Sequence, residues 1–115
     1  MPLSLPFNRG QLVVLVAVNP RERLWGRLVG LEAAGVAIRG LELGGWDDTL
    51  ALVRQGEAQH VSLGTRFVPM HRIESLYLDE PVAGAPSMAE LFRSGTGVDP
   101  LDFLADPEPA RRGKR

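Results

Sequence analysis

The sequence predicts a mainly β domain: a small five-stranded barrel with one inserted short helix and two short C-terminal helices. Three observations carry that expectation. Gly26 and Gly30 interrupt an alternating strand-like run, and glycine within a strand marks a bend or a close backbone approach. Leu12–Val18 is a nearly unbroken β-branched and apolar run, which fits a strand buried on both faces. Helical capping signals follow the last strand-like run, at Ser87 and Asp99.

The 115 residues, 44% apolar and 23% charged, suit one small globular domain with little surplus core. Residues 1–10 hold two prolines and no hydrophobic period, so they read as a lead-in. Residues 11–80 form the expected barrel, opened by the Leu12–Val18 strand. Asn19-Pro20-Arg21 is a turn, because proline pre-sets its dihedral and asparagine supports turn entry. A hairpin then runs from Glu22–Leu31 to Val36–Leu43 through Ala33-Ala34-Gly35. In its first strand Leu24, Gly26, Leu28 and Gly30 share one face, and Arg23, Trp25 and Arg27 share the other. Gly40 reads as a bulge that lets Val36, Ile38, Leu41 and Leu43 all face inward.

Within residues 46–55 the spacing predicts a helix that starts at Trp46, with Asp47 and Asp48 at the positive end of its dipole and Gly56 as its left-handed stop. Trp46, Leu50 and Val53 share its apolar face. A strand from Thr49 to Arg54 is the competing reading. Val61–Met70 and Ile73–Leu78 supply the last two strands, joined by a tight turn at Pro69-Met70-His71-Arg72. Residues 81–105 hold the two short helices, one opened by a Ser87/Glu90 capping box and stopped near Gly95, the other by Asp99 and Pro100. Helices of two turns need packing to persist, so Leu91, Phe92, Leu101, Phe103 and Leu104 must bury against the barrel or a partner. Residues 106–115 are proline- and charge-rich and are expected to be disordered.

Charge narrows the function classes. The net charge is −1, with eight arginines against nine acids in residues 1–80, so no global field draws nucleic acid or an anionic membrane. The basic cluster Arg111, Arg112, Lys114 and Arg115 stands apart, as a possible nucleic-acid contact of weak, salt-sensitive kind, and Lys114 is the single lysine. No apolar run reaches the ~20 residues of a membrane span, and no leader pattern precedes Leu12, so the expected location is cytoplasmic. Cysteine is absent, which excludes disulfides and thiolate chemistry. His60 and His71 have no paired spacing with an acid cluster, so no metal site is expected. Gly95-Thr96-Gly97 is followed by Val98-Asp99 rather than Lys-Ser/Thr, so it is no phosphate loop. Asp47-Asp48 reads as a pair of helix-start acids rather than a catalytic pair. No nucleophile sits in an activating context, so no enzyme and no cofactor are expected.

Two constellations remain as candidate interaction surfaces. Arg23, Trp25 and Arg27 would present an indole between guanidinium groups, a base-stacking combination; alternatively, Trp25 packs beneath the C-terminal helices and the arginines lie over it. The second is the run Ser87–Leu104, with Leu91, Phe92, Leu101, Phe103 and Leu104, which either closes the open end of the barrel or docks on another subunit; Trp46 joins the candidate interaction surface.

Gly26, Leu28, Gly30, Leu31 and Glu32 follow a glycine-hydrophobic-glycine-hydrophobic-acid pattern that resembles the Sm-like family of small β-barrels, with Glu in place of the usual Asp. Val68–Leu78 is similar in outline to that family's closing motif, so the resemblance covers about Gln11 to Leu78. It implies a five-stranded barrel, oligomeric assembly and RNA held by a polar pair after the acid. This chain has Gly35-Val36 there, which supplies no directed base contact. The expected function is therefore a non-catalytic interaction or adaptor module. The alternatives are an RNA-binding Sm-like protein and an enzyme subunit completed by a partner.

Overall fold

A computed structural model describes residues 5–105. Five strands, β1 (Leu12–Ala17), β2 (Glu22–Glu32), β3 (Gly35–Glu42), β4 (Gly64–Pro69) and β5 (Ile73–Leu78), form one antiparallel sheet in the order β4-β3-β2-β1-β5. Helix α1 (Trp46–Arg54) follows β3, and α2 (Met88–Thr96) and α3 (Pro100–Phe103) follow β5. The helical reading of residues 49–54 therefore stands against the strand.

β4 and β5 are the two edges of the sheet, yet only the 3₁₀ turn Met70–Arg72 separates them in sequence. In a flat five-stranded sheet the edges would lie about 19 Å apart at ~4.8 Å per strand. A single 3₁₀ turn rises ~2 Å per residue and does not bridge that gap. The sheet is accordingly curled. Among the described residues it is not closed, however, because β4 pairs only with β3 and β5 only with β1. The expected closed barrel is thus corrected to a curled, open sheet.

Curling gives the sheet an inner and an outer face with separate cores. Val13, Leu15, Ala17, Leu24, Leu28, Val36, Ile38 and Val68 pack on the inner face. Val14, Trp25, Leu41 and Val53 pack on the outer face with Phe92 and Leu104 from the C-terminal helices. β1 is buried on both sides, as its unbroken apolar run predicts, and the chain's own helices supply the outer cover.

Three glycines fall in one cross-strand row: Gly26 pairs with Gly40, and Gly40 pairs with Gly64. A Cβ on Gly26 would meet the Arg39 backbone and lie 2.7 Å from Gly40 Cα, and one on Gly40 would lie 2.6 Å from Gly26 Cα. The row lets β2 and β3 fold sharply against each other. Gly40 is therefore no bulge; it stays in register, and plain alternation sends Leu41 to the outer face. The irregularity lies in β2 instead, where Val29 is the extra residue between Leu28 and Gly30. One inserted residue exchanges the faces. Gly30 consequently pairs with outer-face Ala37, and Leu31 turns inward. Gly30 has open space where a Cβ would be, so it is not the site of the bend.

Other boundaries move slightly. Gly35 opens β3 rather than closing the turn, and β4 begins at Gly64, since Ala58–His60 form a 3₁₀ turn. The Ser87/Glu90 capping box is formed, with both reciprocal bonds. α2 runs past Gly95 to Thr96, and the left-handed cap is Gly97 at φ 76°. Gly95 sits where α2 crosses Leu50 of α1, and its carbonyl accepts from Arg54. Asp99 caps α3 through the Leu101 amide, with Pro100 at the first helical position.

Candidate interaction surfaces

Trp25, Phe92 and Leu104 are fully buried, so they are core residues rather than part of a partner-facing surface. Val14, Leu41 and the C-terminal helices enclose the Trp25 side chain on the outer face, and the ring meets Trp46 edge-on at 5.3 Å and Phe92 at 5.5 Å. Trp46 and Phe103 are half-buried in the same cluster, Phe103 stacking on Phe92 at 4.8 Å. Arg27 donates through Nε to the Leu104 carbonyl, and Arg39 does the same to Ala105. An indole between free guanidinium groups is therefore not on the surface; Arg23 alone of that trio is exposed. Leu91 and Leu101 remain exposed on the helices. Arg111, Arg112, Lys114 and Arg115 lie outside the described residues.

Asp79 joins the two layers. Its carboxylate accepts from the Trp25 indole N–H at 2.9 Å and from the backbone amides of Met88 at 2.8 Å and Ala89 at 2.9 Å. These amides open α2, so one anion satisfies first-turn donors and favours the positive end of the helix dipole. Asp79 directly follows the last strand, and no local pattern marks this role. The signal available was an acid just after the last strand, with an indole that needs a buried acceptor.

At one mouth of the curled sheet Glu22 holds two arginines. Arg66 of β4 and Arg72 of the 3₁₀ turn each donate to it at 2.8 Å, and Arg72 also donates to the Val18 and Pro20 carbonyls. Hydrogen bonds from Arg66 and then Arg72 lower the Glu22 pKa from 4.5 to about 2, against its burial. The same bond to Glu22 raises Arg66, and the charge of Glu42 adds to the rise. Every partner in this cluster is satisfied by another, so it ties strands together rather than awaiting a ligand.

Beside that cluster lies an open groove of about 690 Å³ between the end of β3, α1 and the segment before β4. Leu24, Ile38, Leu52 and Leu63 line it with apolar surface, Glu42, Asp48 and Arg66 line it with charge, and His60 adds an imidazole. His60 faces Glu57 at 3.5 Å, and Arg66 is committed to Glu22. Among the described residues no three His, Asp or Glu side chains gather as metal ligands, and no helix is long and apolar enough to cross a membrane.

The sheet edges are the remaining surface. β4 exposes Phe67 at 54% and β5 exposes Tyr77 at 44%. Val68 points into the inner core, so Phe67 projects from the outer face. Tyr77 stands opposite Val14, which also faces outward. Comparison with protein-family models, with curated proteins and with solved structures finds no match for this chain.

Proposed function

We propose that the protein is a non-catalytic assembly module, in which the β4 edge of one copy pairs with the β5 edge of the next. The supporting observation is that two edges of one sheet, unpaired among the described residues, each carry an exposed aromatic on the outer face. An open edge presents unpaired backbone donors and acceptors, which act as a template for another strand. Pairing β4 with β5 would continue the sheet from copy to copy. Phe67 and Tyr77 would then lie on one face of the continuous sheet, within reach as cross-strand or diagonal neighbours. Because the joined surfaces differ, such contacts close into a ring or extend as a filament. The likeness of the Gly26–Glu32 pattern to the Sm-like family points the same way, as does the strand count.

Light scattering across a concentration series tests this reading. The wild type is expected to exceed the monomer mass, and Phe67→Lys to return it toward 12.5 kDa with little change in melting temperature. A wild-type protein that stays monomeric throughout the series refutes it.

A further inference from the structure

We propose that the groove bounded by β3, α1 and the segment before β4 binds a small organic monocation, a primary amine carried on an apolar body. The groove lies at the end of the curled sheet where Glu22 holds Arg66 and Arg72. Barrel-like sheets hold small ligands at such mouths, in clefts of roughly 300–1,000 Å³, and this one measures about 690 Å³. Leu24 and Ile38 from the sheet, Leu52 from α1 and Leu63 supply its apolar surface.

Thr49 points to a ligand. It lines the groove, and the residue is only 7% exposed. Among the described residues its hydroxyl makes no hydrogen bond. No fully enclosed side-chain nitrogen or oxygen among them lacks a partner, so this hydroxyl opens onto the groove. A buried hydroxyl left unpaired costs free energy, and a ligand that pairs with it recovers that cost.

Charge selects the kind of ligand. Glu22, Glu42 and Asp48 stand at this end of the sheet against Arg66 and Arg72, which leaves one negative charge in surplus. Arg66 is shared, since it bonds Glu22 and feels the charge of Glu42. Asp48 makes no ion pair or hydrogen bond through its side chain among the described residues. Asp48 directly precedes Thr49 on α1, so an ammonium group between them meets a carboxylate and a hydroxyl oxygen, both acceptors. The start of α1 carries about half a positive charge, which the carboxylate of Asp47 in the same turn more than offsets. His60 is engaged by Glu57.

The chain has two isoleucines; Ile38 lines the groove, and Ile73 packs on the inner core without lining it. Carbon-13 labelling of their δ1 methyls gives the full-length protein one reporter and one internal control, readable in an assembly as in a monomer. Titration with 2-phenylethylamine is expected to move the Ile38 signal saturably, in the millimolar range suited to so small a probe, and to leave Ile73 in place. The alcohol 2-phenylethanol has the same shape without the charge and should bind about tenfold more weakly. Asp48→Asn should bring the amine down to the level of the alcohol. Thr49→Val keeps the side-chain shape and should weaken the amine several-fold. The melting temperature checks that both variants stay folded. The proposal is overturned if the Ile38 signal shows no saturable shift, or if Ile73 shifts equally. Equal binding of amine and alcohol overturns it too, as does an Asp48→Asn variant that binds the amine unchanged.

Discussion

Replacing Asp79 by alanine should cost the fold about 3 kcal/mol, and the figure can be built from its three hydrogen bonds. The Trp25 indole N–H would lose its acceptor while the ring is fully buried, so water could not substitute. An orphaned buried donor costs roughly 1–3 kcal/mol. The Met88 and Ala89 amides would lose the carboxylate that caps the first turn of α2. Removing a side-chain cap costs typically ~1 kcal/mol, although Ser87 still caps the Glu90 amide. The sum is about 3 kcal/mol, a large share of the ~5–15 kcal/mol that holds a small domain. It corresponds to a fall in melting temperature of roughly 10 °C for a chain of this size. Urea unfolding followed by tryptophan fluorescence measures it, since the two tryptophans both sit in the affected cluster. Glu80→Ala, at the exposed neighbouring position, serves as the control. A loss below about 1 kcal/mol, the range of a single ordinary hydrogen bond, would show that the two layers are not joined through this carboxylate.

Two further outcomes are expected. Gly26→Ala should destabilise strongly, because its Cβ meets the β3 backbone, whereas Gly30→Ala has open space and should change melting temperature little; equal effects at the two positions would refute the assignment of the sharp fold to Gly26. Glu22 binds a proton less readily folded than unfolded, so its contribution is whole above about 4.5 and is lost as pH falls toward about 2. After discounting for the partly exposed Arg66, that contribution is about 2 kcal/mol, and Glu22→Gln should flatten this acid limb of the stability-against-pH curve.

Local signals were readable and nonlocal ones were not. The capping box at Ser87 and Glu90 and the Asp99-Pro100 start are written within four residues of chain, the Trp46 helix between Trp46 and Gly56, and each is present. β5 matches its expected span because turn residues bracket it. Trp25 was legible as either a platform or a core ring; only the position of α2, more than sixty residues onward, decides for the core. The face of Gly30 was misjudged because a single unpaired residue at Val29 reverses the alternation, and nothing in the local composition marks it. The role of Asp79 has no local signature, since its partner Trp25 lies 54 residues away. Edge status is likewise a property of strand order, so the exposed flanks of β4 and β5 follow from topology and from no residue pattern.

The row Gly26–Gly40–Gly64 sets a dihedral for the whole sheet by what is missing from it. Each of the first two glycines is obstructed by main chain rather than by a side chain that could rotate away. A larger residue at one position is therefore not relieved by any change at the other. The crease opens or it does not, and with it would move the separation of Glu22 and Arg66, which sit on strands to either side. Variants that bear side chains at Gly26 or Gly40 should survive only as flatter sheets with a wider interior and a weakened ion cluster. In this molecule the sharpness of the turn, the depth of the inner core and the grip at its mouth are one mechanical quantity.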